Sequence, residues 1–245
     1  MSLKRTARRI FFPEKCRECG EIIPFGKDKC ACGLYDIFRI GENFCSHCAV
    51  ESEFCRCDCS DSVLLPHVTA PFLYSGAIKE KIHELKFYGK TEHAEFFGHE
   101  MSARFQNAFP AVVADVVTFV PMTKTDLEKR GYNQSELIAN AVSGELSLNK
   151  EELLFKIKAT LNQHNLSKAE RLTNLDGAFA PNPAFDLSGK TVLLCDDIKT
   201  TGTTLKKCCD VLFSAGAEDV YCLCAAVTDY FVPVFQIIKN KRKDF

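Results

Sequence analysis

The sequence predicts an α/β fold in which a mostly parallel sheet is flanked by helices, preceded by a small cysteine-rich module. From about residue 66, short apolar runs typical of buried strands alternate with segments of helical periodicity. Such alternation favours a parallel sheet covered on both faces. Nine of the 14 cysteines lie before residue 60, in a segment with too few apolar residues to form its own core. We therefore divide the 245 residues into a module over 1–62 and a domain over 66–245.

The elements of the domain are predicted in order from apolar periodicity and turn residues. They are strand 70–74, helices 78–87 and 92–105, strand 112–121, helix 134–146, strands 153–157 and 192–195, a helix with Leu205, Cys208, Cys209, Leu212 and Phe213 on its inner face, and strand 220–227. The inward-facing residues expected of helix 134–146 are Leu137, Ile138, Ala141 and Leu146. Asn133 or its neighbour is the expected cap of that helix, and Gly216 is the expected stop of the helix that begins near 205.

Residues 191–205, TVLLCDDIKTTGTTL, contain the clearest functional pattern. An apolar strand ends in two aspartates, and a loop of small hydroxyl residues around one glycine then opens a helix. The N–H groups of such a loop and the positive end of the helix dipole can hold a phosphate dianion. Adjacent carboxylates can accept hydrogen bonds from a vicinal diol. We expect a sugar-phosphate site formed by Asp196, Asp197, Thr200, Thr201, Gly202, Thr203 and Thr204. The alternative is an ordinary strand–turn–helix with a polar cap.

The cysteines before residue 60 are predicted to bind zinc. Cys16 and Cys19 form one C-x-x-C pair and Cys45 and Cys48 form another; together they provide the closed tetrahedral site of structural zinc. A second zinc ion would take Cys30, Cys32, Cys55 and Cys57, with one thiol left over. The absence of a secretory signal favours metal over disulfides. The later cysteines are expected in the core: Cys195, Cys208, Cys209, Cys222 and Cys224.

The net charge of −1 argues against a protein that coats nucleic acid by general electrostatics. Basic runs at 4–9 (KRTARR) and 239–243 (KNKRK) are either solvated tails or contacts to phosphate backbones. Phe87, Tyr88 and Tyr132 are candidates for stacking on unpaired bases. No apolar stretch approaches transmembrane length, and the basic N-terminus lacks the apolar core of a signal peptide. We therefore expect no membrane span and a cytoplasmic location.

Three polar segments are candidates to complete the site. Lys124 and Arg130 lie in a basic loop that offers cations for a pyrophosphate, or that is merely a charged surface loop. Residues 163–179, with Arg171, have no clear apolar face, which suits either a lid that excludes water or a flexible connection. Lys86 ends a predicted helix, where the helix dipole favours a cation in any case. A specific ligand role for Lys86 is therefore the less favoured interpretation.

The segment DDIKTTGTT (196–204) resembles the fingerprint of phosphoribosyltransferases that use phosphoribosyl pyrophosphate, with Ile198 where valine is usual. The resemblance implies a type I phosphoribosyltransferase-like fold. It implies that Asp196 and Asp197 bind the ribose hydroxyls, that Thr200 to Thr204 surround the 5-phosphate, and that Mg²⁺ binds with phosphoribosyl pyrophosphate. If transfer occurs, the catalytic residues would be Asp196, Asp197 and Arg171, with Lys124 and Arg130 at the pyrophosphate.

Three segments together with the cysteine module resemble the ComF family over nearly the whole chain: RGYNQ (130–134), QHNLSKAERLTNLDGAF (163–179) and DDIKTTGTTL (196–205). ComF proteins are bacterial competence-associated proteins that join an N-terminal zinc ribbon to a phosphoribosyltransferase-like domain. Tyr132 stands where the family usually has Phe, and the C-x-C pairs depart from its C-x-x-C series.

The ComF resemblance implies a protein that binds phosphoribosyl pyrophosphate, serves DNA uptake and handles single-stranded DNA, with a DNA-uptake helicase or competence protein as partner. The alternative is an active phosphoribosyltransferase of nucleotide metabolism, acting on an unidentified base or amine. A degenerate pocket on an assembly scaffold is a third possibility. The intact aspartate pair and threonine loop argue against it.

Overall fold

The computed structural model of the protein describes residues 39–52, 55, 57, 65–158 and 175–228. In chain order the strands are β1 (His67–Thr69), β2 (Phe72–Leu73), β3 (Val116–Phe119), β4 (Asn149–Lys150), β5 (Leu154–Lys156), β6 (Phe179–Pro181), β7 (Thr191–Lys199) and β8 (Asp219–Val227). The helices are α1 (Gly76–Phe87), α2 (His93–Ala108), α3 (Lys124–Arg130), α4 (Gln134–Leu146) and α5 (Thr203–Ser214). Most of the predicted lid, including Arg171, and both terminal basic runs lie outside the described residues.

Six strands form one parallel sheet, in which five follow the order β1-β8-β7-β3-β4. The sixth, β2, pairs with β8 on the same side as β1 but further along the strand. Strands β5 and β6 form a separate antiparallel pair. Because all strands of the large sheet run the same way, their carboxyl ends meet at one edge. Ligands of open α/β sheets bind in the crevice beyond that edge. Within the described residues, no helix has both the length and the apolar character that a bilayer span requires.

Successive residues of β7 face two different apolar cores, as the two-residue period of a strand requires. Leu193 and Cys195 contribute to the core formed with α1, α2 and α4. Val192 and Leu194 contribute to the core formed with α5 and the β5–β6 pair. A strand buried on both faces is apolar at consecutive positions, which explains the unbroken run that predicted it.

Helix α4 has the bounds predicted for it but buries a different set of residues. Ile138 is fully buried as expected, whereas Leu137, Ala141 and Leu146 are only partly buried. The helix lies so close to α2 that a Cβ at Gly98 would come within 2.2 Å of the Ala141 Cβ. The inward face of α4 is therefore set by its crossing with α2, which depends on glycine at 98.

Tertiary contacts set several boundaries that the sequence misplaced. The predicted strand 70–74 contains only β2, and β1 lies just before it, outside the predicted range. Strand β3 covers only four residues of the predicted 112–121. Residues 124–130, expected as a basic loop, form the short helix α3. Strand β7 does not end at Cys195 but continues to Lys199, because β8 pairs with it along its length.

Helix α5 and its neighbouring strands bury the later cysteines, as predicted. Five have no exposed surface: Cys195, Cys208, Cys209, Cys222 and Cys224. Phe213, predicted to face inward, is instead 38% exposed. Gly216 follows the end of α5 with φ of 102°, a backbone conformation that favours glycine, so the predicted helix stop is confirmed.

Candidate functional site

The acidic pair, Asp196 and Asp197, lies within β7 at the carboxyl edge of the sheet. Asp196 pairs with Cys224 of β8, and the strand continues beyond both aspartates. The two residues are only 8% and 4% exposed. Because a strand in the middle of the sheet fixes their backbone, the carboxylates are held in place before a ligand arrives.

Asp196 is held by the start of α4. Its Oδ1 accepts hydrogen bonds of 2.9 Å from the Ser135 hydroxyl and 2.9 Å from the Asp197 N–H. Asn133 positions Ser135: its Oδ1 caps α4 by accepting from the Ser135 N–H at 3.0 Å, and its Nδ2 donates to the Val120 carbonyl at 3.0 Å. Burial and the Asp197 charge raise the pKa of Asp196 to about 7. Asp196 is therefore able to donate to or accept from a ligand hydroxyl near neutral pH.

Asp197 is compensated by a lysine from another helix. Its Oδ1 accepts a 2.9 Å hydrogen bond from the Ile198 N–H. Its Oδ2 forms an ion pair with Nζ of Lys86, which lies in the last turn of α1. The end of α1 is tied to the start of α4 by a 2.5 Å hydrogen bond from the Tyr132 hydroxyl to the Leu85 carbonyl. The ammonium of Lys86 thus lies against the acidic pair, a role that the sequence interpretation disfavoured.

The threonine loop, residues 200–204, follows β7 and leads into α5. Gly202 is the N-cap of α5 with φ of 83°, and Thr203 and Thr204 form the first turn. The hydroxyls of Thr201 and Thr203 lie 2.9 Å apart. Among the described residues, no acceptor is found for the backbone N–H groups of Thr200, Thr201 and Gly202. These N–H groups and the start of a 12-residue helix suit a phosphate group.

The basic residues predicted near a pyrophosphate lie on α3, between β3 and α4. Lys124 begins α3 and is exposed. Arg130 ends α3, donates to Oε1 of Gln134 and lies 5.3 Å from the ring centroid of Phe87. Within the described residues, neither forms an ion pair with the acidic pair. The third predicted cation, Arg171, lies outside the described residues.

Sequence reasoning missed Ser135 as a partner of the acidic pair. The N-cap at Asn133 was predictable and places Ser135 in the first turn of α4. The missing information was that β3, which leads to α4, lies beside β7 in the sheet. No local pattern reports that neighbour relation, since Ser135 and Asp196 are 61 positions apart.

Four cysteines near the N-terminus form a cluster, which we call the cysteine cluster: Cys45, Cys48, Cys55 and Cys57. Their Sγ atoms all lie within 4.8 Å of one another, and individual Sγ–Sγ contacts are 3.1 to 3.6 Å. Four thiolates at ~2.3 Å from a tetrahedral zinc ion would be separated by ~3.8 Å. Burial raises the pKa of Cys48 to about 12, and zinc binding displaces such thiol protons. The cluster therefore fits one structural zinc ion.

The composition of the cysteine cluster differs from the predicted grouping. The sequence paired Cys45 and Cys48 with Cys16 and Cys19, whereas the structure brings them to Cys55 and Cys57. Cys45 and Cys57 are only 12 positions apart, and a shorter loop costs less entropy to close. The other predicted ligands, Cys16, Cys19, Cys30 and Cys32, lie outside the described residues, so a second zinc site stays a prediction.

Comparison with known proteins finds one matching family model and several relatives that cover most of the chain. Residues 120–239 match the model of the family described as the phosphoribosyl transferase domain. The chain is similar to the competence protein ComFC of Streptococcus pneumoniae strain R6, at 29% identity over 233 residues, covering 84% of this chain and 96% of that one. It is also similar to the DNA utilization protein YhgH of Escherichia coli K12, at 26% identity over 196 residues, covering 76% of this chain and 86% of that one. These similarities support a ComF-family protein, at low identity.

The comparisons agree with the observed architecture. The family match covers the acidic pair and the threonine loop, and the sheet is parallel in every pairing. The predicted type I phosphoribosyltransferase-like α/β fold is thus confirmed for this chain. Among solved structures, the chain is similar to a glutamine phosphoribosylpyrophosphate amidotransferase from B. subtilis, with 22% identity and a TM-score of 0.37, covering 54% of this chain and 26% of that one.

Proposed function

We propose that the chain is a ComF protein, that it binds phosphoribosyl pyrophosphate with Mg²⁺ at the acidic pair and the threonine loop, and that it serves the uptake and handling of single-stranded DNA. One observation carries the pocket: at the end of β7, two buried carboxylates are followed by a run of backbone N–H groups for which the described residues provide no acceptor. The carboxylates suit vicinal hydroxyls, and the N–H groups suit a phosphate. Ribose 5-phosphate combines these two groups at a short separation.

The contacts within the acidic pair leave room for ligand hydroxyls. Asp196 uses Oδ1 for its described hydrogen bonds, and within the described residues no donor is found for its Oδ2. Mg²⁺ would be held by the pyrophosphate and hydroxyl oxygens of the ligand and by water, in keeping with its preference for oxygen ligands. In this proposal Lys124, Arg130 and Arg171 supply cations for the pyrophosphate.

An exposed group of aromatic and basic side chains supports the DNA part of the proposal. Phe87 and Tyr88 are 61% and 68% exposed at the end of α1. The ring of His83 lies 4.8 and 5.5 Å from theirs, and Arg130 lies over Phe87. We call these four residues the aromatic platform. Exposed aromatic faces beside cations are the features on which unpaired bases stack. Tyr132, the third predicted stacking residue, is instead partly buried and hydrogen-bonded.

The names of two relatives, a competence protein and a DNA utilization protein, support the same DNA role. In that role the protein partner we propose is a DNA-uptake helicase or another competence protein. The pocket would then serve regulation or substrate contact.

A second candidate function is transfer of ribose 5-phosphate to an unidentified base or amine. The observation that favours it is the buried, fixed acidic pair. In this reaction the bond between ribose C1 and pyrophosphate breaks, C1 bonds to the acceptor nitrogen, and the nitrogen loses a proton to solvent. Carboxylates fixed beside the ribose would stabilise the positive charge that develops at C1.

Two parallel assays separate these functions. In the first, the protein is incubated with phosphoribosyl pyrophosphate, Mg²⁺ and a panel of nucleobases and amines, and pyrophosphate release is measured. We expect release at the background rate with every acceptor. Fast release with one base, abolished by Asp197→Asn, would favour the transferase instead.

The second assay measures binding of a single-stranded oligonucleotide. The chain contains no tryptophan, so Tyr88→Trp places one fluorescent reporter on the aromatic platform. We expect the oligonucleotide to quench this reporter, with an affinity that falls steeply as salt rises because counterions are released. Val113→Trp is the control, because Val113 is 86% exposed and precedes β3, at the opposite edge of the sheet. Equal quenching of both reporters, or none, would contradict the proposed DNA contact.

A further inference from the structure

We propose that Lys86 is a positioning residue of the phosphoribosyl pocket, which holds the Asp197 carboxylate in place for contact with ligand hydroxyls. The inference rests on the proposed function, because it assigns a further part to the same pocket. Lys86 lies on α1, outside the β7–α5 segment that carries the sugar-phosphate pattern.

The surroundings of Asp197 make a cationic partner necessary. The residue is 4% exposed, and its Oδ2 accepts no hydrogen bond from the described residues. The contact of Oδ2 is the ion pair with Lys86, whose side chain is 21% exposed. Between partly shielded charges the attraction is much stronger than in water. Removing one member of such a pair leaves the other charge buried without compensation.

The backbone at Lys86 is held in place from two sides. The preceding residue, Leu85, is fully buried in the core of α1, α2 and α4. Its carbonyl accepts the hydrogen bond from Tyr132, which lies just before the cap of α4. The same cap directs Ser135 to Asp196. Two helices tied to each other thus each hold one member of the acidic pair.

A general preference for cations at helix ends does not explain the direction of Lys86. Lys90, four positions later, forms an ion pair with Glu84 of α1, whose side chain is partly exposed. Lys86 instead reaches across to β7. Lys90 is therefore a matched control, because it is a lysine at the same helix end that makes no contact with the acidic pair.

The other titratable and charged groups around the acidic pair do not replace Lys86. They come from the strands, helices and loop packed against it: Tyr74, Lys156, Cys195, Lys199, Cys208 and Cys224. Among the described residues, Lys86 is the one cation in ion-pair contact with either aspartate. Without Lys86, the Asp197 carboxylate would lose the contact that fixes its Oδ2 toward α1. A carboxylate that is free to reorient is less well placed for ligand hydroxyls.

Calorimetric titration with ribose 5-phosphate tests the inference, because this ligand has the hydroxyls and the 5-phosphate but no pyrophosphate. The proteins are the wild type, Lys86→Met, Lys86→Arg and Lys90→Met. We expect Lys86→Met to bind about tenfold more weakly or worse, the effect of losing a hydrogen bond to a charged group. Lys86→Arg should restore most of the wild-type affinity, because it keeps a cation that can reach Asp197, and Lys90→Met should match the wild type.

The outcomes distinguish this inference from the proposed function. If the wild type binds neither ribose 5-phosphate nor phosphoribosyl pyrophosphate, the proposed pocket is wrong. If the wild type binds and Lys86→Met has the same affinity, or Lys86→Arg is as weak as Lys86→Met, the role of Lys86 is wrong and the pocket stands. Melting curves show whether each variant is folded, and Lys86→Gln replaces the methionine variant if that fails to fold.

Discussion

His47 donates a hydrogen bond from its ring to the backbone of Leu65, with 2.8 Å between Nδ1 and the carbonyl oxygen. His47 lies between Cys45 and Cys48 of the cysteine cluster. The side chain of Leu65 reaches the threonine loop, since a Cβ at Gly202 would lie 3.5 Å from its Cδ1. The cysteine cluster and the proposed phosphate loop are therefore connected through one buried leucine.

The first prediction concerns the metal. Freshly reduced protein should contain at least one equivalent of tightly bound zinc, and Cys45→Ser should lose one equivalent, because a structural zinc site needs all four thiolates. Elemental analysis measures both. Less than about half an equivalent in the wild type would contradict the zinc site. A second equivalent that survives in Cys45→Ser would be assigned to Cys16, Cys19, Cys30 and Cys32.

The second prediction follows from the connection through Leu65. His47→Ala should keep its zinc but loosen the threonine loop, because it removes the hydrogen bond to Leu65 and leaves the thiols intact. Hydrogen exchange should accelerate in a peptide over 199–205. A peptide within α4 is the internal control and should exchange as in the wild type. Unchanged protection at 199–205 would show that the two sites are independent.

The third prediction uses the raised pKa of Asp196. The Asp196 carboxyl has a pKa of about 7 in the folded protein and near 3.8 in the unfolded chain, so the folded protein binds this proton more tightly. Its contribution to the free energy of unfolding therefore falls as pH rises from about 4 to about 7. Asp196→Asn has no such group, so its melting temperature relative to the wild type should rise over this window. A gain of roughly 2 °C or more corresponds to ~1 kcal/mol in a domain of this size. A difference that stays constant or shrinks with rising pH would contradict the raised pKa.

The fourth prediction compares three glycines. Gly202→Ala should weaken ligand binding and cost about 1 kcal/mol or more, because φ is 83° there. Gly98→Ala should destabilise the fold, because its Cβ would meet Ala141 at 2.2 Å. Gly144→Ala is the control: it lies in α4 with nothing within 4 Å, and alanine should add about 1 kcal/mol of stability. Chemical denaturation measures all three. An equal effect of the three substitutions would contradict the local geometry.

The parts of the candidate site and the cysteine cluster differ in how far the sequence could predict them. The acidic pair and threonine loop were evident because strand, carboxylates, loop and helix are contiguous, so local rules describe them. Ser135 and Lys86 come from two other helices, and their approach to β7 depends on strand order and helix packing. The approach of Cys55 and Cys57 to Cys45 and Cys48 was not evident from spacing for a similar reason. Regular C-x-x-C spacing suggested distant pairs, whereas the chain brings Cys45 and Cys48 to the nearby Cys55 and Cys57.

Calorimetric titration of phosphoribosyl pyrophosphate with Mg²⁺ tests the central claim most directly. We predict saturable binding to the wild type and a loss of at least about tenfold in affinity when Asp196→Asn and Asp197→Asn are combined, since both replace hydrogen-bonding carboxylates. Asp210→Asn, which changes a partly exposed acid on α5 paired with Lys206, should bind like the wild type. Undetectable binding to the folded wild-type protein, or equal binding by the double variant, would contradict the proposed pocket.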